Sequence, residues 1–513
     1  MHLKTFCELV IISTVFWLEA STAGLQWNPG KFGKITEREG KQFLTVQVPP
    51  KNKNAMNCAT ATIDLTPHRG NMLRFRIMAR AKDVSIPKYD YNGVKFMLHY
   101  TDATGLEHWH NCSKIRGSFP WRELACTSSI DITAKRGTMY LGLQESSGLV
   151  EFDLSSLKIE NLFSPDRSDH QAVYTDRIRN TPPLRGVMSP SKEFTEDDWK
   201  TLQQWNVNLV RAQMIRRWGQ YGANRNLKDY DEWLASRLDH FEKMFHLGYT
   251  KYGLRFAIDL HSPPGGRLKN GTMAMCFEKK YADHFIKIWQ QIATRFKGNP
   301  AIWAYDLLNE PSQTCEAPLD YWNLQRMAAE AIRKIDPDTP IIIQSNHWDH
   351  PDAFVYLRPL KLKNIIYEVH MYMPGTFTHQ LVGNTFGVKG KMQKVSYPDK
   401  VWNKEMLRNV LVPVRTFQQK HNARIFVGEF SAPIWAPGAE KYLSDCISIF
   451  EEYGWDWTYH AFREWKGWSL EHEGDWPNQI RPSADNPRKR VLLREFQKNI
   501  RNSPPTEADT ITP

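Results

Sequence analysis

The sequence predicts an α/β fold, a (β/α)8 TIM barrel preceded by an N-terminal antiparallel β-sandwich. Three observations lead there. The chain has 513 residues, too many for one ordinary domain. Up to about residue 163 it runs in short alternating apolar segments divided by Gly, Pro, Asn and Asp, without a helix-length period. From Leu184 onward, eight short apolar runs alternate with amphipathic stretches, which is the pattern of strand–helix units around a parallel barrel.

The start, "MHLKTFCELVIISTVFWLEASTAGLQW", carries Lys4, an apolar stretch from Leu9 to Leu18, and small residues Ser21 and Ala23. This predicts a secretory signal peptide over 1–23. The apolar stretch falls well short of the roughly 20 residues that span a bilayer, and no later run approaches that length. The expectation is therefore a monomeric protein without a transmembrane segment, secreted to the periplasm or the extracellular space.

Residues 24–163 contain "MLRFRIMARA", "GVKFMLHY", "TMYLGLQE" and "VEFDLSSLKIE", the runs of the sandwich. "SPDRSDHQAVYTDRIRNTPP", 164–183, reads as a linker. The barrel is assigned to 184–502, with strands in "LRGVM", "NLVRAQM", "LRFAIDLH", "AIWAYDLLNE", "PIIIQSN", "NIIYEVHMY", "ARIFVGEF" and "WDWTYHAF". "FEKKYADHFIKIWQQIATRF" and "LDYWNLQRMAAEAIRKI" are two of the helices between them. The tail, 503–513, is expected to be disordered. A doubly wound open sheet is the alternative, but no run is followed by GxGxxG.

Composition narrows the function. The formal net charge is +11, yet Lys and Arg are scattered, and the densest cluster, Arg488-Lys489-Arg490, heads an amphipathic segment, so no nucleic-acid partner is expected. Seven cysteines include Cys7 in the signal peptide, and no CxxC occurs, so no zinc site is expected from them. An exported protein permits disulfides, and Cys112 with Cys126 and Cys276 with Cys315 are the first pairs to test. The 19 Trp suit either a large core or the stacking of flat sugar rings.

The strand ends carry the chemistry. Arg211 and Gln213, Asp259 and His261, and His370 and Tyr372 are pairs spaced two apart, so each pair shares one strand face. The fourth run ends in Asn309-Glu310, the fifth in Asn346-His347-Trp348 and the seventh in Glu429; Trp465 and Trp468 follow the eighth. A lone buried His is by default a satisfied structural group. Polar and aromatic residues at seven of eight C-terminal strand ends point instead to an active site. Two carboxylates amid His, Arg, Asn, Tyr and Trp fit hydrolysis of a glycosidic bond. One acid protonates the leaving oxygen; the other attacks or activates water. Arg211 and Tyr372 are the candidates to keep one of them charged.

Metal chemistry fits less well, since the barrel lacks HxH and the chain lacks HExxH; His108 and His110 read as surface or core residues. No GxSxG elbow is present, and no cofactor is expected.

"AYDLLNEP", followed about 120 residues later by "IFVGEF", resembles glycoside hydrolase family 5, the cellulase family of retaining barrel glycosidases. The resemblance covers roughly 184–500. It implies that Glu310 is the acid/base and Glu429 the nucleophile, and that Arg211, His261, Asn309, His370 and Tyr372 bind or orient substrate. It also implies an aromatic platform in "FREWKGWS", where Trp465 is favoured over Trp468. The implied activity is retaining hydrolysis of a β-linked glucan. Mannan, β-1,3-glucan and glycolipid remain alternatives, as does a non-catalytic carbohydrate-binding protein. The sandwich resembles carbohydrate-binding modules. Its Tyr89, Tyr91, Trp109 and Trp121 read either as an exposed sugar platform or as packing.

Overall fold

The computed structural model describes residues 25–500, apart from 90, 113, 114, 191 and 383–393. The expected signal peptide and the tail lie outside the described residues. The N-terminal domain holds β1 (Gly33–Arg38), β2 (Lys41–Val48), β3 (Met56–Asp64), β4 (Met72–Val84), β5 (Gly93–Thr101), β6 (Glu107–Asn111), β7 (Gly117–Ser129), β8 (Arg136–Gln144) and β9 (Gly148–Phe163). One sheet runs β1-β2-β9-β4-β7 and the other β3-β8-β5-β6, with antiparallel pairing throughout. The period-two reading holds residue by residue. Leu44 and Val46, Phe75 and Ile77, Phe96 and Leu98, and Val150 and Phe152 are neighbours on one strand face, and all are buried in the core between the sheets. Tyr91, Trp109 and Trp121 are exposed instead. Tyr89 and Tyr91 stack at 5.1 Å with planes 7° apart.

The second domain is a closed parallel barrel of β10 (Arg185–Met188), β11 (Leu209–Gln213), β12 (Arg255–Asp259), β13 (Ile302–Asp306), β14 (Ile341–Gln344), β15 (Ile365–Met371), β16 (Arg424–Phe430) and β17 (Asp456–Tyr459). β17 pairs back onto β10, so no edge remains. All eight runs named from the sequence contain these strands. The helix Lys279–Phe296 buries Tyr281, Phe285, Ile288, Ile292 and Phe296, one face of a 3.6-residue period. Its Trp289 indole donates to the Leu307 carbonyl at 3.0 Å, pinning the outer ring to the chain that leads into Asn309-Glu310. The long helix Leu227–Tyr252 stops at Gly253, whose φ of 66° a side chain would disfavour.

Inside the barrel, chemistry changes over one pleat. Leu209, Ala257, Ala304, Ile342 and Ile366 form an apolar lower layer. Two residues further along the same strands stand Arg211, Asp259, Asp306, Gln344 and Glu368, each with no exposed surface. Since side chains two apart share a face, the interior turns from hydrocarbon to charge just below the C-terminal rim.

The segment 164–183 connects the domains, but it is bonded along its length. Asp166 N–H donates to Val355 O at 3.1 Å. Tyr174 hydroxyl donates to Ile365 O and accepts from Arg424 N–H, both at 2.7 Å. Arg424 donates to the carbonyls of Ile178 and Thr181 and to Asp456. The segment thus straps the N-terminal ends of β15, β16 and β17. The domains also touch directly, with Phe163 stacked on Tyr356 and edge-on to Tyr321.

The expected disulfides are absent among the described residues, where all six cysteines are free thiols. Cys112 Sγ donates to the Ala125 carbonyl at 3.1 Å and lies beside the Cys126 thiol, without a bond between the sulfurs. Cys276 is shut inside the barrel's core, while Cys315 sits on a partly exposed loop.

Candidate active site

Arg211 is the hub of the charged layer. Its Nε donates to Asp306 at 2.7 Å, Nη1 to Glu429 Oε1 at 2.8 Å and Nη2 to Asn309 Oδ1 at 2.8 Å. Asp259 and Glu368 stand 3.3 and 3.2 Å away. One cation facing four buried acids is unbalanced, and burial relieves it by favouring neutral forms. Burial pushes the Glu368 carboxyl up to about 8, against the pull of Arg211. Asp306 is raised in the same way to about 6. Glu368 fits only because β16 has Gly428 beside it. A Cβ there would come 1.5 Å from Glu368 Oε1.

Asn309 and Glu310 leave β13 in a turn clamped from three sides. Glu310 has a left-handed backbone, φ 50°, a conformation that costs a non-glycine residue about 1–2 kcal/mol. Its N–H donates to Gln344 Oε1 at 2.7 Å. The carbonyls of Asn309 and Glu310 both accept from Arg267, at 3.2 and 2.8 Å. A run of contacts then fixes the Asn309 side chain, from Arg211 through Asn309 to His261 at 3.3 Å, and from His261 Nδ1 to Asp259 at 2.8 Å.

Glu310 and Glu429 face each other, with His370 between them. Carboxylate oxygens of the two acids and a His370 nitrogen all lie within 4.8 Å of one another. His370 Nδ1 is 3.0 Å from Glu310 and 3.7 Å from Glu429; its Nε2 is 3.1 Å from Glu368. Burial opposes charge on His370, but Glu429 and the bonds to Glu310 and Glu368 outweigh it and hold its pKa well above the usual value. Tyr372 hydroxyl donates to Glu429 Oε2 at 3.0 Å, and burial keeps this phenol un-ionised.

His460 completes the shell. It follows β17 directly, and its Nδ1 lies 3.1 Å from Glu429 Oε2 and 2.6 Å from the Tyr372 hydroxyl. Its Nε2 is 2.8 Å from Glu464, which also accepts from Gln213 at 3.1 Å. Burial works against an imidazolium here, yet Glu464 and Glu429 raise its pKa to about 10. Burial would likewise lift Glu429, but His370, His460 and Arg211 together hold it well below the carboxylate range. Glu429 is thus an anion ringed by cations. Glu310 has His370 in direct contact, feels the charge of Arg267, and has a side chain 16% exposed.

Trp468 stacks on Tyr372 at 5.7 Å, and Trp465 stands edge-on to Trp468 at 5.1 Å and to Trp435 at 5.8 Å. Across the mouth, Arg267 lies 5.1 Å from the Trp218 ring and 4.3 Å from Trp348. These residues and Tyr221 line a cavity of about 110 Å³. Glu310, His370 and Glu429 are a possible donor set for a metal ion, but Arg211 and His460 already neutralise Glu429.

The sequence reading missed Asp306, Glu368, Arg267 and His460. The first two follow the period-two rule, since Glu368 is two residues before His370 on one strand. They were passed over because the runs around them are apolar. His460 occupies the end of the eighth run, the position that supplied candidates on other strands.

Residues 175–466, more than half the chain, match the cellulase family, glycosyl hydrolase family 5. The chain belongs to this family. This family-5 chain is 29% identical over 296 residues to endoglucanase C of Acetivibrio thermocellus, covering 52% of the chain and 84% of that protein. It is 25% identical over 278 residues to cellodextrinase A of Ruminococcus flavefaciens, covering 53% and 79%. A solved hyperthermophilic endo-β-1,4-glucanase in complex with substrate aligns at 23% identity with TM-score 0.47, over 61% of this chain and 97% of that one. As a family-5 member the protein is an O-glycosyl hydrolase, of a family that retains anomeric configuration through two glutamates. The family match begins beyond the sandwich.

Proposed function

We propose that the protein is a secreted hydrolase of β-linked glucan, with Glu429 as nucleophile and Glu310 as acid/base. Two carboxylates within 4.8 Å of each other, one heavily charge-compensated and one partly exposed, support this reading. Retaining glycosidases hold their carboxyl groups about 5–5.5 Å apart, too close for a water between the second carboxylate and the anomeric carbon, so that carboxylate attacks directly.

Glu429 attacks the anomeric carbon as Glu310 gives its proton to the departing glycosidic oxygen. A glycosyl ester on Glu429 results. Water then enters where the leaving group stood, Glu310 takes its proton, and the ester bond breaks with overall retention. As Glu429 loses its charge to the ester, Arg211, His460 and Tyr372 lose an anionic partner, which favours return to the free carboxylate. Asn309 and His261 orient the sugar, and Trp465 with Trp468 gives it an apolar wall. The names of the endoglucanase and cellodextrinase relatives favour glucan over mannan, β-1,3-glucan or glycolipid.

The test is covalent trapping. A 2-deoxy-2-fluoro-β-cellobioside with an activated leaving group should add one glycosyl mass to the intact protein, and peptide mapping should find it on Glu429. Glu429→Ala should take no label and no longer turn over substrate while still binding sugar. No mass gain in the wild type would mark a binding protein, and a label on another residue would overturn the assignment. Reducing-sugar release from a polysaccharide panel then ranks the substrates.

A further inference from the structure

Histidines gather at a second place, where the sandwich meets the chain that follows β14. Residues 346–352 read "NHWDHPD". His347 Nδ1 and His350 Nδ1 approach the same Asp352 oxygen, at 3.4 and 2.8 Å. One donor atom from each of these three residues lies within 4.8 Å of the other two. The backbone commits His347 to this spot. His347, Trp348 and Asp349 have φ of 59°, 62° and 56°, a left-handed run that L-residues avoid. It sends three neighbours three ways: Trp348 to Arg267 at the cleft, Asp349 inward to Ser345 Oγ at 2.9 Å, and His347 outward to Asp352.

Across the seam lies β6 of the sandwich, with His108 and His110 on one face. His108 is engaged, its Nε2 2.9 Å from Asp102. His110 is not: its Nε2 is buried and has no hydrogen-bond partner. His347, His350 and Asp352 are nonetheless near enough to act on its charge. A buried ring nitrogen without a partner, in the electrostatic reach of two imidazoles and a carboxylate, requires an explanation.

We propose that His347, His350 and Asp352 bind a divalent transition ion of the zinc class, with His110 of the sandwich as the fourth ligand. Two or three imidazoles with one carboxylate suit zinc, not magnesium or calcium, which prefer oxygen shells. Bonds of about 2.0–2.2 Å in a tetrahedron place ligand atoms about 3.3 Å apart, a spacing that the 2.8 and 3.4 Å separations bracket. Coordination would replace the long bond of 3.4 Å that His350 Nδ1 accepts from Asp352 N–H. The ion would tie the domains together. It would also hold the turn whose Asp349 stands 3.9 Å from His370.

The test uses the full chain, stripped with chelator and titrated with zinc against a chromophoric competitor. About one tightly held ion per chain is expected, with affinity falling at least about tenfold in Asp352→Asn and His350→Gln and by a smaller factor in His110→Gln. Cobalt should give the intense visible band of a tetrahedral site in the wild type, a readout independent of how the variants fold. Binding should survive in Glu310→Gln/Glu429→Gln, which removes the two carboxylates of the cleft set, and in Glu368→Gln, which removes one ligand of the third set, Asp349, Glu368 and His370. No ion bound by the wild type would overturn the proposal, as would binding abolished by the cleft variant but not by Asp352→Asn. Unchanged affinity in His110→Gln would overturn the link between domains.

Discussion

Replacing His460 with Gln removes a cation from the side of Glu429 while keeping a side chain of similar reach. At 3.1 Å and an effective dielectric constant of about 20, an imidazolium and a carboxylate attract by about 5 kcal/mol. The net effect on Glu429 is smaller. Desolvation of the imidazolium takes part of it, and Arg211, at 2.8 Å, with His370, at 3.7 Å, remains in place. A residual of about 1.5–3 kcal/mol corresponds to about 1–2 pH units. The sign is fixed, because losing a neighbouring positive charge makes a carboxylate harder to ionise. The assay is the pH dependence of kcat/KM, whose acid limb reports ionisation of the nucleophile in the free enzyme. In the wild type this limb lies below the ordinary Glu value of 4.5, since Glu429 is held well beneath it. In His460→Gln it should move up by about 1–2 units, so that the acid loss of activity sets in at a correspondingly higher pH while the rate at pH 7 is untouched by this shift. Circular dichroism at each pH separates this from unfolding. An acid limb that stays in place, with only a uniform loss of rate, would refute the idea that His460 acts on Glu429 through charge.

Gly428→Ala should destabilise the barrel by about 3 kcal/mol, because the new Cβ drives Glu368 away from Arg211 and His370; a fall of Tm under about 4 °C would contradict the packing described. Glu310→Ala should slow turnover about 10²–10⁴-fold on natural glycosides but leave the first step nearly intact for a dinitrophenyl leaving group, and azide should restore turnover as a β-glycosyl azide. Equal losses with both substrates would exclude Glu310 as the acid. Glu368 bears on stability against pH. Its folded value, about 8, exceeds the unfolded 4.5, so its contribution is complete below 4.5 and is lost as pH rises through 8. Glu368→Gln should therefore flatten the decline of Tm between pH 5 and 8 in thermal melts, and an unchanged slope would show that Glu368 is not the group titrating.

Much of this was legible in the chain. The barrel could be read because buried parallel strands are continuous apolar runs and the helices between them keep one apolar face. The carboxylate pair could be read because Glu310 and Glu429 end such runs abruptly. The layer beneath could not. Asp306 and Glu368 sit inside "AIWAYD" and "IIYEVH", where a single acid looks tolerable until Arg211 from another strand is placed among them. His460 escaped because attention went to the tryptophans after it. Trp465 was favoured over Trp468 for the aromatic wall; Trp468 stacks on Tyr372 and Trp465 stands edge-on to it, and three residues of spacing do not decide between them. Of the cysteine pairs named from spacing, Cys112 and Cys126 do lie side by side, though as free thiols.

The strap over 164–183 bears on where this protein can be divided. A chain begun at Leu184 would keep all eight strand–helix repeats yet lose Tyr174 and the carbonyls of Ile178 and Thr181, leaving Arg424 with Asp456 alone at an uncovered floor. Begun at Asp166, it would bring its own lid for that floor. The transplantable catalytic unit is therefore the repeat plus the segment 166–183, which belongs to no repeat. A graft of the sandwich onto another barrel would have to supply that barrel with a floor of its own.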